Sequence, residues 1–479
     1  MDFRLHCGIR GIGCRRPRIH PDLDPRRLNS GCLDRFNIVL LQMSGRLFLD
    51  QKVLSWALYD WANSAFATTV VAGFFPVLYS HMTRDLTTQD AQIWLNVTIA
   101  AGSIVVGISS PILGAIADSG NQRKTFLAGF TLLGILMCLG LGWAASGLWW
   151  MALILYGIGL IGFNGAITFY NSLLVLISSI DQVDLVSGFG YALGYIGGGL
   201  LFLINVLMVT NPAWFGFEST SAALAVSFVS VGIWWFIFSL PLFLFIREPG
   251  AARTRSIGST VGEGWHRFKS TIREVRMLRA ASFFLIGYWL YIDGVATIFK
   301  MAVFFADRIL GLPSDSLIKA LLLTQFVAFP AALVFGWLGK KMGPKFGISI
   351  CIAVYVIVIT YAWQWLRSAL DFYFLAVGIG LVQGGIQGLS RSLFARLIPA
   401  SKTAEFFGFF NLVGRFSSIL GPLMMILVPI LIVGADERDS ILALLVLFAG
   451  GAYFLWKVDI ASGVDEARRL DDSIALSKP

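Results

Sequence analysis

Asp60, Asp293, Lys300 and Arg415 each interrupt a stretch otherwise built of apolar side chains. A charge in hydrocarbon costs at least about 2.5–3.5 kcal/mol on insertion scales, so each such residue needs a partner, a water-filled path or a bound solute. The chemistry open to this set is reversible protonation and ion pairing. Covalent catalysis would need a cluster of His, Asp or Glu near one interface, and the four histidines, His6, His20, His81 and His266, all fall in tails or loops. Asn63 lies one turn from Asp60 on the same helical face, which suits either a protonatable polar site or a hydrogen-bonded helix contact. Asn164, Gln383 and Gln387 add amides, the last two one turn apart. Amides suit recognition of a zwitterion, and they also join membrane helices to one another.

Depth sharpens these expectations. With 1.5 Å of rise per residue, Asp60 lies about 10 Å into its helix, Asp293 about 18 Å and Arg415 about 16 Å from the same side. Asp293 and Arg415 are therefore expected to pair with each other or with a charged group of a solute. Lys300, seven residues beyond Asp293, either snorkels to the outer surface or meets that solute. Arg391, near the end of its span, reads as a loop-facing or gate-forming cation. Trp56, Trp61, Tyr191 and Tyr195 could line a cavity or anchor at the interface. Gly194, Gly197, Gly198 and Gly199 permit close helix packing or a flexing gate.

The elements that position these residues follow from composition. The chain has 479 residues, 57% hydrophobic and 14% charged, with a mean hydropathy of +0.75. A soluble chain is about a quarter charged, and runs of roughly 20 apolar residues are long enough to cross a bilayer. The reading is an all-α polytopic membrane protein. Spans are expected near 54–80, 92–116, 125–146, 149–178, 187–210 and 222–246, then 281–306, 316–339, 346–366, 371–397, 404–432 and 440–457, with the long fourth span tilted or broken. Residues 1–49 form an extension and short lead, with Met43 a candidate start. Residues 50–246 and 281–457 form two six-helix bundles, 247–280 a basic linker with an amphipathic stretch around Trp265 to Leu278, and 458–479 a tail.

The formal charge of +9 resides in loops, where it orients the chain in the membrane and attracts anionic lipid. No zinc-ligand spacing, phosphate-cradling loop or aromatic–basic interleaving supports nucleic acid, a metal or a cofactor. Five cysteines are scattered without a disulfide framework. Arg123, Lys124, Lys340, Lys341, Lys345, Arg396 and Lys402 fall in loops on one side. The positive-inside rule then puts both termini and the linker in the cytoplasm, with the plasma (inner) membrane as the expected location and a monomer as the expected state.

An internal repeat at an offset of about 220 residues supports the count of twelve. Gly114-Ala-Ile-Ala-Asp118, with Arg123 and Lys124, matches Gly336-Trp-Leu-Gly-Lys340, with Gly343 and Lys345. Asn171-Ser-Leu-Leu matches Arg391-Ser-Leu-Phe, Gly188 and Gly194 match Gly408 and Gly414, and Tyr59-Asp60 echoes Tyr291-Ile-Asp293. Duplicated halves are the layout of transporters that rock about a site near the membrane midplane. Asp118, at the end of its helix, can accept hydrogen bonds from a neighbouring helix N-terminus. Arg123 and Lys124 can pair with acids on an adjoining helix end. These residues and their second-half counterparts read as a conformational switch.

The Gly114–Lys124 stretch resembles the signature loop of the major facilitator superfamily, and Gly336–Lys345 a degenerate copy. Asn121 stands where the superfamily usually has glycine, and Lys340 where the second copy might have kept an acid. The segment Ser55-Trp-Ala-Leu-Tyr-Asp-Trp-Ala-Asn-Ser-Ala-Phe66 is more specific. With Ser390-Arg-Ser-Leu-Phe394 and Glu405-Phe-Phe-Gly408, it resembles the branch related to the autophagy-linked vacuolar amino-acid effluxer, over roughly residues 50 to 457. The resemblance implies the major facilitator fold, two pseudo-symmetric bundles and alternating-access transport of a small solute, with amino-acid or related metabolite efflux as one activity. Protons are a candidate coupling ion, since Asp60, Asp293 and Glu405 can titrate. A non-transporting receptor or scaffold and a membrane-embedded lipid-modifying enzyme are the competing classes.

Overall fold

The computed structural model describes residues 47–144, 147–248, 271, 273–306, 310–417, 419–431 and 439–476. The arginine-rich stretch before Met43 and most of the basic linker lie outside the described residues. Twelve helices among the described residues are long and apolar enough to cross a membrane. In the first half they are α1 (Gln51–Met82), α2 (Thr88–Gly120), α3 (Arg123–Ala144), α4 (Trp149–Ile177), α5 (Val183–Thr210) and α6 (Thr220–Phe245). The second half has α7 (Arg279–Phe304), α8 (Ser314–Met342), α9 (Pro344–Trp365) and α10 (Ala369–Arg396), then α11a (Thr403–Phe416), α11b (Leu420–Leu431) and α12 (Leu444–Lys457).

The expected boundaries need three changes. The fourth span is one uninterrupted helix. The fifth starts at Val183 and so takes Asp184 into the helix, fully buried. The eleventh stops at Phe416 and a separate helix begins at Leu420, just ahead of Pro422. Proline offers no N–H and its ring clashes with the carbonyl four residues earlier, so a continuous helix through this point is disfavoured. The tail is a further helix, α13 (Ile460–Leu476). Asp459 begins it, accepting from the Ala461 N–H at 3.1 Å and the Ser462 hydroxyl at 2.7 Å. Asp471 of α13 accepts the N–H groups of Ala400 at 2.7 Å and Ser401 at 3.1 Å, which ties the tail to the turn before α11a.

Lipid is as apolar as leucine, so the bundles cohere by close packing and internal hydrogen bonds rather than by water exclusion. In the first half Phe66, Phe75, Tyr156 and Trp235 belong to one buried cluster, with the Phe75 and Tyr156 rings stacked at 3.8 Å. α1 is locally wound as a π-helix over Phe66–Phe74. There the Thr68 hydroxyl donates to the Ser64 carbonyl at 2.9 Å and lies 3.2 Å from the Gly198 carbonyl of α5. Such insertions recur at functional sites because they re-aim the side chains around them.

The halves meet along two seams related by the sequence repeat: α2 against α11a, and α5 against α8. Each seam is set by a glycine at the same repeat position. A Cβ on Gly408 would sit 2.6 Å from the Pro111 backbone, and one on Gly188 would sit 2.8 Å from the Ala332 carbonyl oxygen. Neither distance is tolerable for a methyl group, so only glycine lets these backbones touch.

Within each half a lysine makes a matching tie. Lys124 at the start of α3 donates from Nζ to the Phe243 carbonyl at 2.9 Å and to that of Ile246, at the end of α6. Lys345 at the start of α9 donates to the carbonyls of Trp456 at 2.8 Å and Val458 at 2.9 Å, at the end of α12. A cation on the last carbonyls of a helix satisfies groups that have no partner within the helix and suits its dipole.

Candidate substrate cavity and gates

A cavity of about 350 Å³ lies between the halves, lined from both. Asp60, Asn63, Ala67 and Val71 face it from α1, a set whose spacing of three and four residues puts them on one side of a helix. Gln383, Gln387 and Arg391 face it from α10, again one turn apart. Tyr191 and Tyr195 close it from α5, and Thr324 and Gln325 from α8. A second space of about 220 Å³, walled mainly by apolar residues, shares Ala72, Phe299, Leu321 and Thr324 with the first. Its other lining residues, such as Pro76 of α1 and Phe372 of α10, lie farther from the end that carries Arg123, Lys124, Lys340 and Arg396. The cavity therefore runs from a floor at Asp60 and Arg391 away from this basic end.

Arg391 organises that floor. It is 2% exposed and comes from the second half, yet its partners are in the first. Its Nη1 lies 3.5 Å from Asp60 Oδ2 and donates to Asn171 Oδ1 at 3.2 Å. Its Nε donates to the Ser187 hydroxyl at 2.9 Å and its Nη2 to the Ser187 carbonyl at 2.8 Å. The guanidinium plane lies over the rings of Tyr191 and Trp56, 4.3 and 4.7 Å from their centroids. Trp56 is held by its stack on Tyr170 at 4.4 Å, and the Tyr170 hydroxyl donates to Asp60 Oδ2 at 3.1 Å. Bidentate geometry, fixed charge and a face that stacks on aromatics are what distinguish arginine from lysine at such a node. Asn171 and Arg391, which occupy matching positions in the repeat, thus touch each other across the interface.

The basic end is closed by two further contacts between halves. Asp118 at the end of α2 accepts the N–H groups of Ala404 at 3.2 Å and Glu405 at 2.9 Å, at the N-terminus of α11a. It also takes Arg123 Nε at 2.7 Å. At the related seam the acid is Asp184 of α5, and its partner is the Arg396 side chain of α10. Gly336 lies against the Asp184–Gly188 backbone. Lys340 is exposed, and Gly343 takes a positive φ of 89° at the turn into α9. Lys124 and Lys345 make their ties inside one half. The acid beside Arg123 and Lys124 is Glu248, which accepts both of their backbone N–H groups at 3.0 and 2.9 Å.

Four of the candidate solute ligands lie elsewhere. Asp293 is fully buried, and its carboxylate accepts the N–H groups of Ile419 (3.3 Å), Leu420 (2.9 Å) and Gly421 (2.8 Å), together with the Thr297 hydroxyl at 3.3 Å. It caps α11b. Arg415 donates to Asn411 Oδ1 at 3.3 Å, and among the described residues it makes no ion pair with Asp293. Equal depth alone does not bring the two together, because the break after α11a offers Asp293 three amides instead. Asn164 contributes its backbone carbonyl to Asn411 at 3.0 Å and lies outside the cavity lining, as does Lys300, which is exposed on α7. Trp61 stacks on Trp234 at 5.7 Å rather than lining the cavity.

The cap makes Asp293 testable. Asp293→Ala strands three amides and is expected to destabilise the protein by about 2 kcal/mol, given that hydrogen bonds to charged groups contribute about 1.5–3 kcal/mol each and partly relax on loss. Asp293→Asn, which keeps one acceptor oxygen, is expected to lose about half as much. Thermal unfolding in detergent measures both, and equal stability of Asp293→Ala and the unmodified protein would remove the capping role.

Of the two residues central to the closed floor and gate, the sequence reads Arg391 only as a loop-facing or gate-forming cation and gives Asp184 no site role. The signal for Arg391 was its alignment with Asn171 in the repeat; for Asp184, no pattern in the chain pointed to Arg396. Among the described residues no group of three or more His, Cys, Asp or Glu is placed to hold a metal. Cys138 and Cys351 are buried free thiols.

A profile of the family described as "Vacuole effluxer Atg22 like" matches residues 50–468. The chain is 34% identical over 426 residues to the "Uncharacterized MFS-type transporter YxiO" of Bacillus subtilis, covering 87% of this chain and 97% of that one. It is 28% identical over 317 residues to "Autophagy-related protein 22" of Yarrowia lipolytica, covering 60% of this chain and 52% of that one. Among solved structures, the human organic anion transporter MFSD10 superposes with a TM-score of 0.62 at 15% identity, over 85% of this chain and 99% of that one.

Proposed function

The chain belongs to the Atg22-like family, a branch of the major facilitator transporters, and from that premise we propose that it carries an amino acid or a related small amine-bearing metabolite by alternating access. It is a multi-pass membrane transporter and not an enzyme. The observation that carries the substrate reading is the floor of the cavity. Arg391 spends most of its donors on Asn171, Ser187 and Asp60, whereas Asp60 receives its contacts on Oδ2 alone. The second carboxylate oxygen is the charged group left to meet a solute, and it suits an ammonium.

Loop charge supports a cytoplasmic basic end; on that reading the state described is closed inside, with its cavity running toward the other side. Opening to the cytoplasm requires release of Asp118 from α11a, Asp184 from Arg396, and Arg391 from the first half. Protonation of Asp60 would weaken the last of these, which couples the proton to the rocking step in the direction of efflux. The family's description as an effluxer supports export as the direction of transport, and the bacterial relative favours a plasma-membrane location.

Purified protein in proteoliposomes tests the whole reading. Uptake of at least one amino acid from a panel that also holds dipeptides, sugars and organic anions is expected, dependent on an imposed pH gradient and lost when the gradient is collapsed. No flux across the panel would overturn the carrier reading; flux indifferent to pH would overturn the coupling.

A further inference from the structure

One wall of the cavity is polar in a fixed sense. Tyr355 of α9 is fully buried, and its ring is stacked on Phe448 of α12 at 5.4 Å, so its hydroxyl cannot swing away. That hydroxyl donates to Oε1 of Gln383, whose side chain lines the cavity. A glutamine amide can present either its oxygen or its NH2 group to a ligand, and nothing in the residue itself chooses. Here the neighbour chooses. Were the amide reversed, the buried Tyr355 hydroxyl would accept from the NH2 group and its own proton would find no other acceptor among the described residues, which is the costly arrangement for a buried polar group. The satisfied arrangement turns Nε2 of Gln383, with its two donors, toward the cavity. Gln325 and Gln387 also face the cavity, but among the described residues neither amide is held by such a hydrogen bond, so both can turn to suit the solute.

We propose that Tyr355 is a positioning residue that locks Gln383 as a donor, so that the cavity selects solutes bearing a carboxylate over the same solutes bearing a carboxamide. The inference rests on the amino-acid reading above and adds to it the group that is read and the residue that enforces the reading. A carboxylate accepts from an NH2 group through a charge-assisted bond with either oxygen. A carboxamide has one accepting oxygen, and its own NH2 meets donors wherever it is turned the other way. Sites built on fixed hydrogen-bond polarity discriminate strongly because a mismatched ligand leaves buried groups unpaired. Tyr355 does not touch the solute; it acts through Gln383.

The test measures binding of L-alanine, L-alaninamide, L-phenylalanine and L-phenylalaninamide to the full-length protein in detergent, by calorimetry. The wild-type protein is expected to bind each acid about 10-fold more tightly than its amide. Tyr355→Phe keeps the ring and its stack and frees the Gln383 amide to reverse, so the acid-to-amide ratio is expected to fall to within about 2-fold of unity, mainly through tighter amide binding. Gln383→Glu, which offers an acceptor in place of a donor, is expected to invert the preference. A merely structural Tyr355 would weaken all four ligands together and leave the ratio where it was. An unchanged ratio in Tyr355→Phe, with wild-type binding intact, overturns this proposal alone. A wild-type protein that binds none of the four overturns the amino-acid reading and this one with it.

Discussion

Replacing Arg391 with alanine is expected to reduce gradient-driven uptake at least about a hundredfold, and Arg391→Lys to restore little of it. The guanidinium joins the halves through Asn171, Ser187 and Asp60 and lies over the rings of Trp56, Tyr170 and Tyr191. Removing one partner of a buried ion pair costs about 3–5 kcal/mol, because the other is left without compensation, and a factor of one hundred corresponds to about 2.7 kcal/mol. Lysine supplies the charge but neither the planar fork nor the stacking face. The double variant Asp60→Asn/Arg391→Gln separates folding from function: with both charges gone, thermal stability should return toward that of the unmodified protein while uptake stays low. Uptake rates in proteoliposomes beside unfolding temperatures measure this. Arg391→Ala with uptake within threefold of the unmodified protein would dismiss the node as ornament.

Asp118→Ala should act differently, by moving the balance between states. The Asp118 carboxylate holds two backbone N–H groups of α11a across the seam, and hydrogen bonds to a charged acceptor contribute about 1.5–3 kcal/mol each. If half of their combined worth is specific to the closed state, the equilibrium shifts by about 1.5–3 kcal/mol, or roughly 10- to 150-fold, toward opening at the basic end. Spin labels at Gln122 and Lys341, exposed or half-exposed on opposite halves of that end, report the distance directly by pulsed electron resonance. A broad population at longer separation is expected in Asp118→Ala. An unaltered distance distribution would take Asp118 out of the gate.

Much of this architecture could be read from the chain because a bilayer leaves few choices. Backbone groups must be satisfied within each segment, so apolar runs become helices, and their number and repeat are visible in the order of runs and motifs along the chain. Asp60, Asn63, Gln383 and Gln387 stood out for the same reason: polar groups in such helices rarely face lipid, and these face the cavity. Depth put Asp293 and Arg415 at one level, to meet each other or a solute, but depth carries no sign that the amides at the start of α11b would claim Asp293. Pro422 marked the break, and once the helix stops, three amides compete for the carboxylate and win.

Arg391 was harder. Depth along one helix places it near an interface, where an arginine can reach water, and only the packing of α10 against α1, α4 and α5 decides that it turns inward. Residues related by the repeat, such as Asn171 and Arg391, meet because they lie close to the axis between the halves. Distance from an axis is a property of the assembled bundle and leaves no mark in the order of residues. The same holds for Asp184 of α5 and Arg396 of α10, which pair only once the two halves are assembled.

The paired lysine ties bear on how the molecule is made. Lys124 binds the end of α6 to the start of α3, and Lys345 does the same for α12 and α9, so neither set of six spans borrows its fastening from the other. During synthesis the earlier set can shut on itself in the lipid before the later one has left the ribosome, as domains of larger chains generally do. Assembly then proceeds as two finished pieces docking, an order of events that preserves the history of a gene copied once and joined end to end.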